Sequence, residues 1–272
     1  MNLPDTLTFA EVDDIAFAAE RGRLNSTPYP TPLAPAGLGP LLELTHLARA
    51  GGMPTPQAAL WISTGWAGPL LTALSAGRKD WYCPDTQSIG FLRTRGTLPT
   101  DEAVFSKFGL AAQKAACAVG VPKQTAAQLV GAIGEMHSNI YEHSGASETG
   151  LVAFRVDRTS FEWVVADHGI GVRASLAMHA DYAELPDEGA ALRAALSDGA
   201  SRFGMGSGRG MGFRPLFVGL ANLRAQLRFR SGDHALTIDG ITPSILSART
   251  SQKAKLRGLF AAVVCVPPRD GV

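Results

Sequence analysis

Glu135, Asn139 and His143 stand at i, i+4 and i+8, so they share one face of any helix that carries them. An acid, an amide and an imidazole aligned this way could hold a hydrated cation beside a reacting group. Downstream, Asp167 is followed by glycines at 169 and 171. A carboxylate there can accept a hydrogen bond from a ligand, and the glycines permit a tight turn and close backbone approach. Further on, Gly204-Met205-Gly206-Ser207-Gly208-Arg209-Gly210-Met211-Gly212-Phe213 sets five glycines at alternate positions. A glycine-rich turn that opens a helix presents free N–H groups and the positive end of a dipole, which suits phosphate. Each block also has a plainer reading. A polar helix face is commonly just solvated, and Asp-x-Gly is a common turn.

The elements that would position these residues can be read from periodicity. Leu129, Val130, Ile133, Met136 and Ile140 recur at helical spacing and predict a helix over about 124–142. A helix over about 100–118 precedes it, opened by Thr100-Asp101-Glu102 and stopped by Gly120. Strands are expected at 150–156 and up to Asp167, where Phe161, Trp163 and Val165 alternate with Glu162, Val164 and Ala166. Joined by the 157–160 turn, they form an antiparallel hairpin. Residues 172–203 read as a mobile insertion with a helix at 187–196, and a helix is expected at about 210–224. Strands at 226–230 and 235–238 would flank a Ser231-Gly232-Asp233 turn. A polar, basic loop at 244–255 and a last strand at 259–266 follow.

The three blocks, in this order, resemble those of the GHKL (Bergerat-fold, histidine-kinase-like) ATPases. Glu135-x-x-x-Asn139 is similar to that superfamily's N box. Asp167-x-Gly169-x-Gly171 is similar to its G1 box, and Gly206-x-Gly208-x-Gly210-x-Gly212 to its G2 box. Gly208–Phe213 and Asn139-x-x-x-His143 look closest to the anti-sigma-factor serine/threonine kinases. The resemblance covers about residues 100–268.

It implies an α+β fold, a two-layer α/β sandwich of the Bergerat type, that binds ATP and Mg²⁺. Asp167 would accept the adenine amino proton, with Gly169 and Gly171 opening space beside the ring. Asn139 would coordinate Mg²⁺. Glu135 would orient or deprotonate the attacking water or hydroxyl. Gly206, Gly208, Gly210 and Gly212 would face the phosphates. Arg209 there faces phosphate or solvent, and His143 either helps hold the phosphate side or is structural. The insertion at 172–203 would be the ATP lid. The implied function is phosphorylation of a serine or threonine on a regulatory protein partner. The alternative is a nucleotide-gated binding switch or ATPase without protein phosphorylation. Histidine kinase activity is disfavoured by the lack of a recognisable phosphoacceptor helix. The chain departs from the anti-sigma kinases in its long lid and in the hundred residues placed ahead of the motif region.

Residues 1–99 are therefore expected as an accessory domain and 100–272 as the ATPase domain. The first part offers a strand at 7–9, helices near 12–21, 41–50 and 56–76, a strand within 81–92, and a proline-rich connection over 28–40. His46 and Cys83 have no neighbours at ligand spacing and read as structural, as do His137 and His168. The net charge of +1 gives no global pull towards nucleic acid or membrane. Arg224, Arg228, Arg230, Lys253, Lys255 and Arg257 form a local basic set, but without the aromatic interleaving of a base-stacking surface. No apolar run is long enough to span a bilayer, no secretory leader is visible, and three scattered cysteines read as reduced thiols. A cytoplasmic protein is expected, with a homodimer left open. No P-loop, HExxH or G-x-G-x-x-G pattern is present.

Overall fold

The computed structural model describes residues 6–24, 34–51, 53, 65–96, 101–196, 223–239 and 245–267. In chain order these residues form β1 (Thr6–Leu7), α1 (Phe9–Glu20), β2 (Ala34–Pro35), α2 (Leu38–Arg49), α3 (Ala67–Ser75), β3 (Asp80–Tyr82), β4 (Ile89–Arg93) and α4 (Glu102–Ala118). They continue with α5 (Lys123–His143), β5 (Leu151–Val156), β6 (Phe161–Asp167), α6 (Val172–Leu176), α7 (Glu188–Leu196), β7 (Arg224–Ile238) and β8 (Arg249–Val266). Six strands build one antiparallel sheet in the order β3-β4-β5-β6-β8-β7, while β1 and β2 make a short parallel pair. The fold is α+β, an antiparallel sheet with helices packed on it. No helix among the described residues is long and apolar enough to cross a membrane.

One face of the sheet carries the helices that periodicity picked out. Asp101 caps α4, its carboxylate accepting the Ala103 N–H at 2.8 Å, an interaction of about 1 kcal/mol. α5 buries Leu129, Ile133, Met136 and Ile140. With Phe108 and Ala112 of α4 they form one core with Phe154 of β5, Trp163 and Val165 of β6 and Val263 of β8.

The other face is covered as well, which corrects the expected two-layer sandwich to three layers. Leu41 of α2 and Leu70 and Leu74 of α3 pack with Phe91 of β4, Val164 and Ala166 of β6, and Phe260 and Ala262 of β8. All seven residues of β6 are buried, because both of its faces are packed. Glu162, the one charged residue on the second face of β6, is also accounted for. Its Oε2 accepts the Leu38 N–H at 2.6 Å, placing an acid at the positive end of α2. It also pairs with Arg155. β4 is bonded along β5, so residues 89–93 extend the sheet that the chain beyond residue 100 builds.

A buried ionic cluster fixes the N-terminal helices to the sheet. Arg228 of β7 donates to Glu43 of α2 at 2.7 and 2.9 Å and to Asp13 of α1 at 2.6 Å. Arg230, fully buried, donates to the same Glu43 and to the Ala254 carbonyl. Lys253 reaches Asp13 at 2.8 Å. Burial alone would raise the Glu43 carboxyl, but the charges of Arg228 and Arg230 hold it below the ordinary range. Three of the six residues of the basic set are thus consumed inside the protein.

Two expectations near the C-terminus are corrected. The Ser231-Gly232-Asp233 signal is a bulge within one continuous strand, β7, and not a turn between two. Gly232 takes φ +56°, and the register against β8 shifts there. The expected basic loop at 244–255 is strand from Arg249 onward, paired with Gly232–Thr237.

Candidate functional site

α5 carries Glu135, exposed, and Asn139 and His143, half-buried, along the flank of its buried stripe. The helix ends at Ser144, whose carbonyl accepts the Ile170 N–H at 2.8 Å. That bond brings the Asp167 turn against the end of α5. A Cβ at Gly169 would lie 2.1 Å from the Ser144 carbonyl oxygen, so only glycine fits.

Asp167 is the last residue of β6 and is 3 % exposed. By strand alternation it falls on the face of Phe161, Trp163 and Val165, the face that α4 and α5 cover. Its Oδ1 accepts the Gly169 N–H at 2.8 Å, the turn that Asp-x-Gly signals. Burial pushes its carboxyl up to about 6, against backbone hydrogen bonds from Gly169 and Leu259 that lower it. No cationic side chain pairs with it among the described residues.

Gly171 adopts φ +83°, and a Cβ there would lie 2.8 Å from Ser231 Oγ. Ser231 Oγ in turn accepts the Val172 N–H at 2.9 Å, at the start of α6. At both glycines the close approach among the described residues is made by the chain itself. Gly206, Gly208, Arg209, Gly210 and Gly212, and the helix expected at 210–224, lie outside the described residues. Of the expected lid, residues 172–196 hold α6 and α7. Asp187 Oδ1 accepts the Ala190 N–H at 2.7 Å, and Leu192 and Leu196 are buried in the core that α5 shares.

The turn is also held from behind, by residues that read as structural. His168 stacks on His46 of α2, ring centroids 3.8 Å apart. His46 Nε2 bonds the Arg257 carbonyl at 2.8 Å, and His168 Nε2 bonds the His46 carbonyl at 3.2 Å. Both nitrogens face acceptors, so both carry protons. Burial, and then the neighbouring His168, push His46 down to about 3. The two residues are 122 positions apart, beyond any local pattern. His137 stacks on Phe105 at 4.6 Å, and burial pushes it down to about 4.

The residues present can be weighed against a nucleotide and a metal. Asp167 offers a buried acceptor at the end of the sheet, and Asn139, a half-buried residue on the helix beside it, carries an amide oxygen, a donor type that Mg²⁺ accepts. Among the described residues no three His, Cys, Asp or Glu side chains gather as a metal cage. No family model, curated protein or solved structure matches this chain.

Proposed function

We propose that the chain contains a GHKL-type ATPase domain, a Bergerat-type sandwich of α4, α5 and the sheet to which the N-terminal helices add a third layer, and that it binds ATP and Mg²⁺. Asp167 receives the adenine amino group, Asn139 holds Mg²⁺, and Glu135 acts as general base. His143 and the glycine-rich block, with Arg209, take the phosphate side. The proposed activity is phosphorylation of a serine or threonine on a regulatory protein partner. The observation that supports it is the pairing of two sequence blocks in space. The bond from Ile170 to Ser144 sets the Asp167 turn at the end of the helix that carries Glu135, Asn139 and His143. The desolvated Asp167 carboxylate adds a chemical reason for a ligand there. ATP when bound supplies the phosphoryl group. The chain's own residues orient it, and Glu135, exposed on α5, takes the proton of the attacking hydroxyl.

Turnover separates this reading from a nucleotide-gated switch. Glu135→Gln should keep nucleotide affinity and lose about two to four powers of ten in phosphoryl transfer or hydrolysis. Asn139→Ala should lose the Mg²⁺-dependent part of the affinity. Wild-type turnover no faster than that of Glu135→Gln would replace the kinase reading by the switch.

A further inference from the structure

On the sheet face opposite α5, between α2 and the strands, lies a small cavity of about 20 Å³. Its polar lining comes from Thr45, His46 and Arg49 of α2, Arg93 of β4, Thr149 and His168, and contains no Asp or Glu. Among the described residues, its charged lining is Arg49 and Arg93. Arg49, Arg93, Arg95 and Arg257 make no ion pair among the described residues. Residues 50–64, which follow α2, contain no acidic residue.

Arg93 is the least satisfied of these groups. Its Nη2 donates to the Leu74 carbonyl at 2.8 Å, but its Nε is buried without a hydrogen-bond partner. Burial, then the charges of Arg49 and Arg95, push Arg93 down to about 10. Burial first, and then Arg49 and Arg257, push His168 down as well, against its hydrogen bond to the His46 carbonyl, which raises it. A half-buried guanidinium with a buried, unmade Nε bond and like-charged neighbours favours an anion beside it.

We propose that this cavity binds a monatomic anion of the chloride type, held by Arg93 and Arg49, which ties α2 to the turn after Asp167. Its volume suits one water-sized or monatomic species and excludes a nucleotide phosphate. A water could satisfy the Nε donor but would supply no counter-charge to the half-buried Arg93. The site does not depend on the nucleotide reading, because Ala166 and Phe260 line it from the other side of the sheet.

The probes are bromide in the crystal and chloride in solution. Crystals of the full chain soaked in sodium bromide should show an anomalous peak beside Arg93 Nε. Thermal unfolding in sodium chloride against sodium gluconate at equal ionic strength should show a higher Tm in chloride. The shift should be roughly 2 to 3 °C at tenfold excess over Kd. Arg93→Met retains much of the side-chain volume and should abolish the chloride-specific shift. Should that variant fail to fold, the wild-type bromide map decides alone. Equal Tm in the two salts, or no bromide at Arg93, would overturn the proposal in favour of a buried water.

Discussion

Replacing Asp167 by Asn should make the protein more stable at neutral and basic pH. The carboxyl is 3 % exposed, has no cationic partner among the described residues, and is pushed up from 3.8 to about 6 by burial. That displacement corresponds to about 3 kcal/mol, a ceiling on the cost of keeping the group ionised. The folded pKa lies above the unfolded one. Between about pH 4 and 6 the folded chain therefore keeps a proton that the unfolded chain has lost, and the wild type loses stability as pH rises through that window. Asparagine keeps an oxygen for the Gly169 N–H but gives up the charge that strengthens the backbone bonds. The expected net gain at about pH 8 is thus about 1–2 kcal/mol, falling towards zero or below at about pH 4. Urea denaturation of both proteins across this range measures it. An Asn variant equal to or weaker than the wild type at about pH 8 would show that the carboxylate is not held at a cost.

Other perturbations address the layers and the turn. Glu43→Gln leaves Arg228 and Arg230 short of their shared counter-charge and should destabilise by about 3–5 kcal/mol in chemical denaturation. Gly169→Ala forces a methyl to within 2.1 Å of the Ser144 carbonyl, and should cost about 1–3 kcal/mol and weaken nucleotide binding together. Nucleotide affinity should fall as pH drops through about 6, where Asp167 takes up its proton, and calorimetry of the Asp167→Asn variant should lack that step.

The parts of the fold that sequence made legible are those with local signals. The apolar stripe of α5 appears in the core as its period indicates, and Asp101 caps α4 from the position that its chemistry suggests. The Asp167-x-Gly169 turn is formed as a turn. What remained hidden depends on distance along the chain. Glu43 and Arg228 are 185 residues apart, and each alone reads as a solvated charge. His46 and His168 are 122 residues apart, and each alone reads as a structural histidine without showing its partner. The second packed face of β6 was visible only as Val164 and Ala166, small apolar residues that do not name their cover. The Ser-Gly-Asp signal at 231–233 reads as a turn in sequence, because a bulge uses the same residues.

The most direct measurement is titration of ATP, with and without Mg²⁺, into the folded wild type and the folded Asp167→Asn variant, followed by isothermal calorimetry. Saturable, one-to-one, Mg²⁺-dependent binding to the wild type, severely weakened in the variant because a charged acceptor is lost, is the result predicted here. No binding by the wild type, or equal affinity in both proteins, would contradict it.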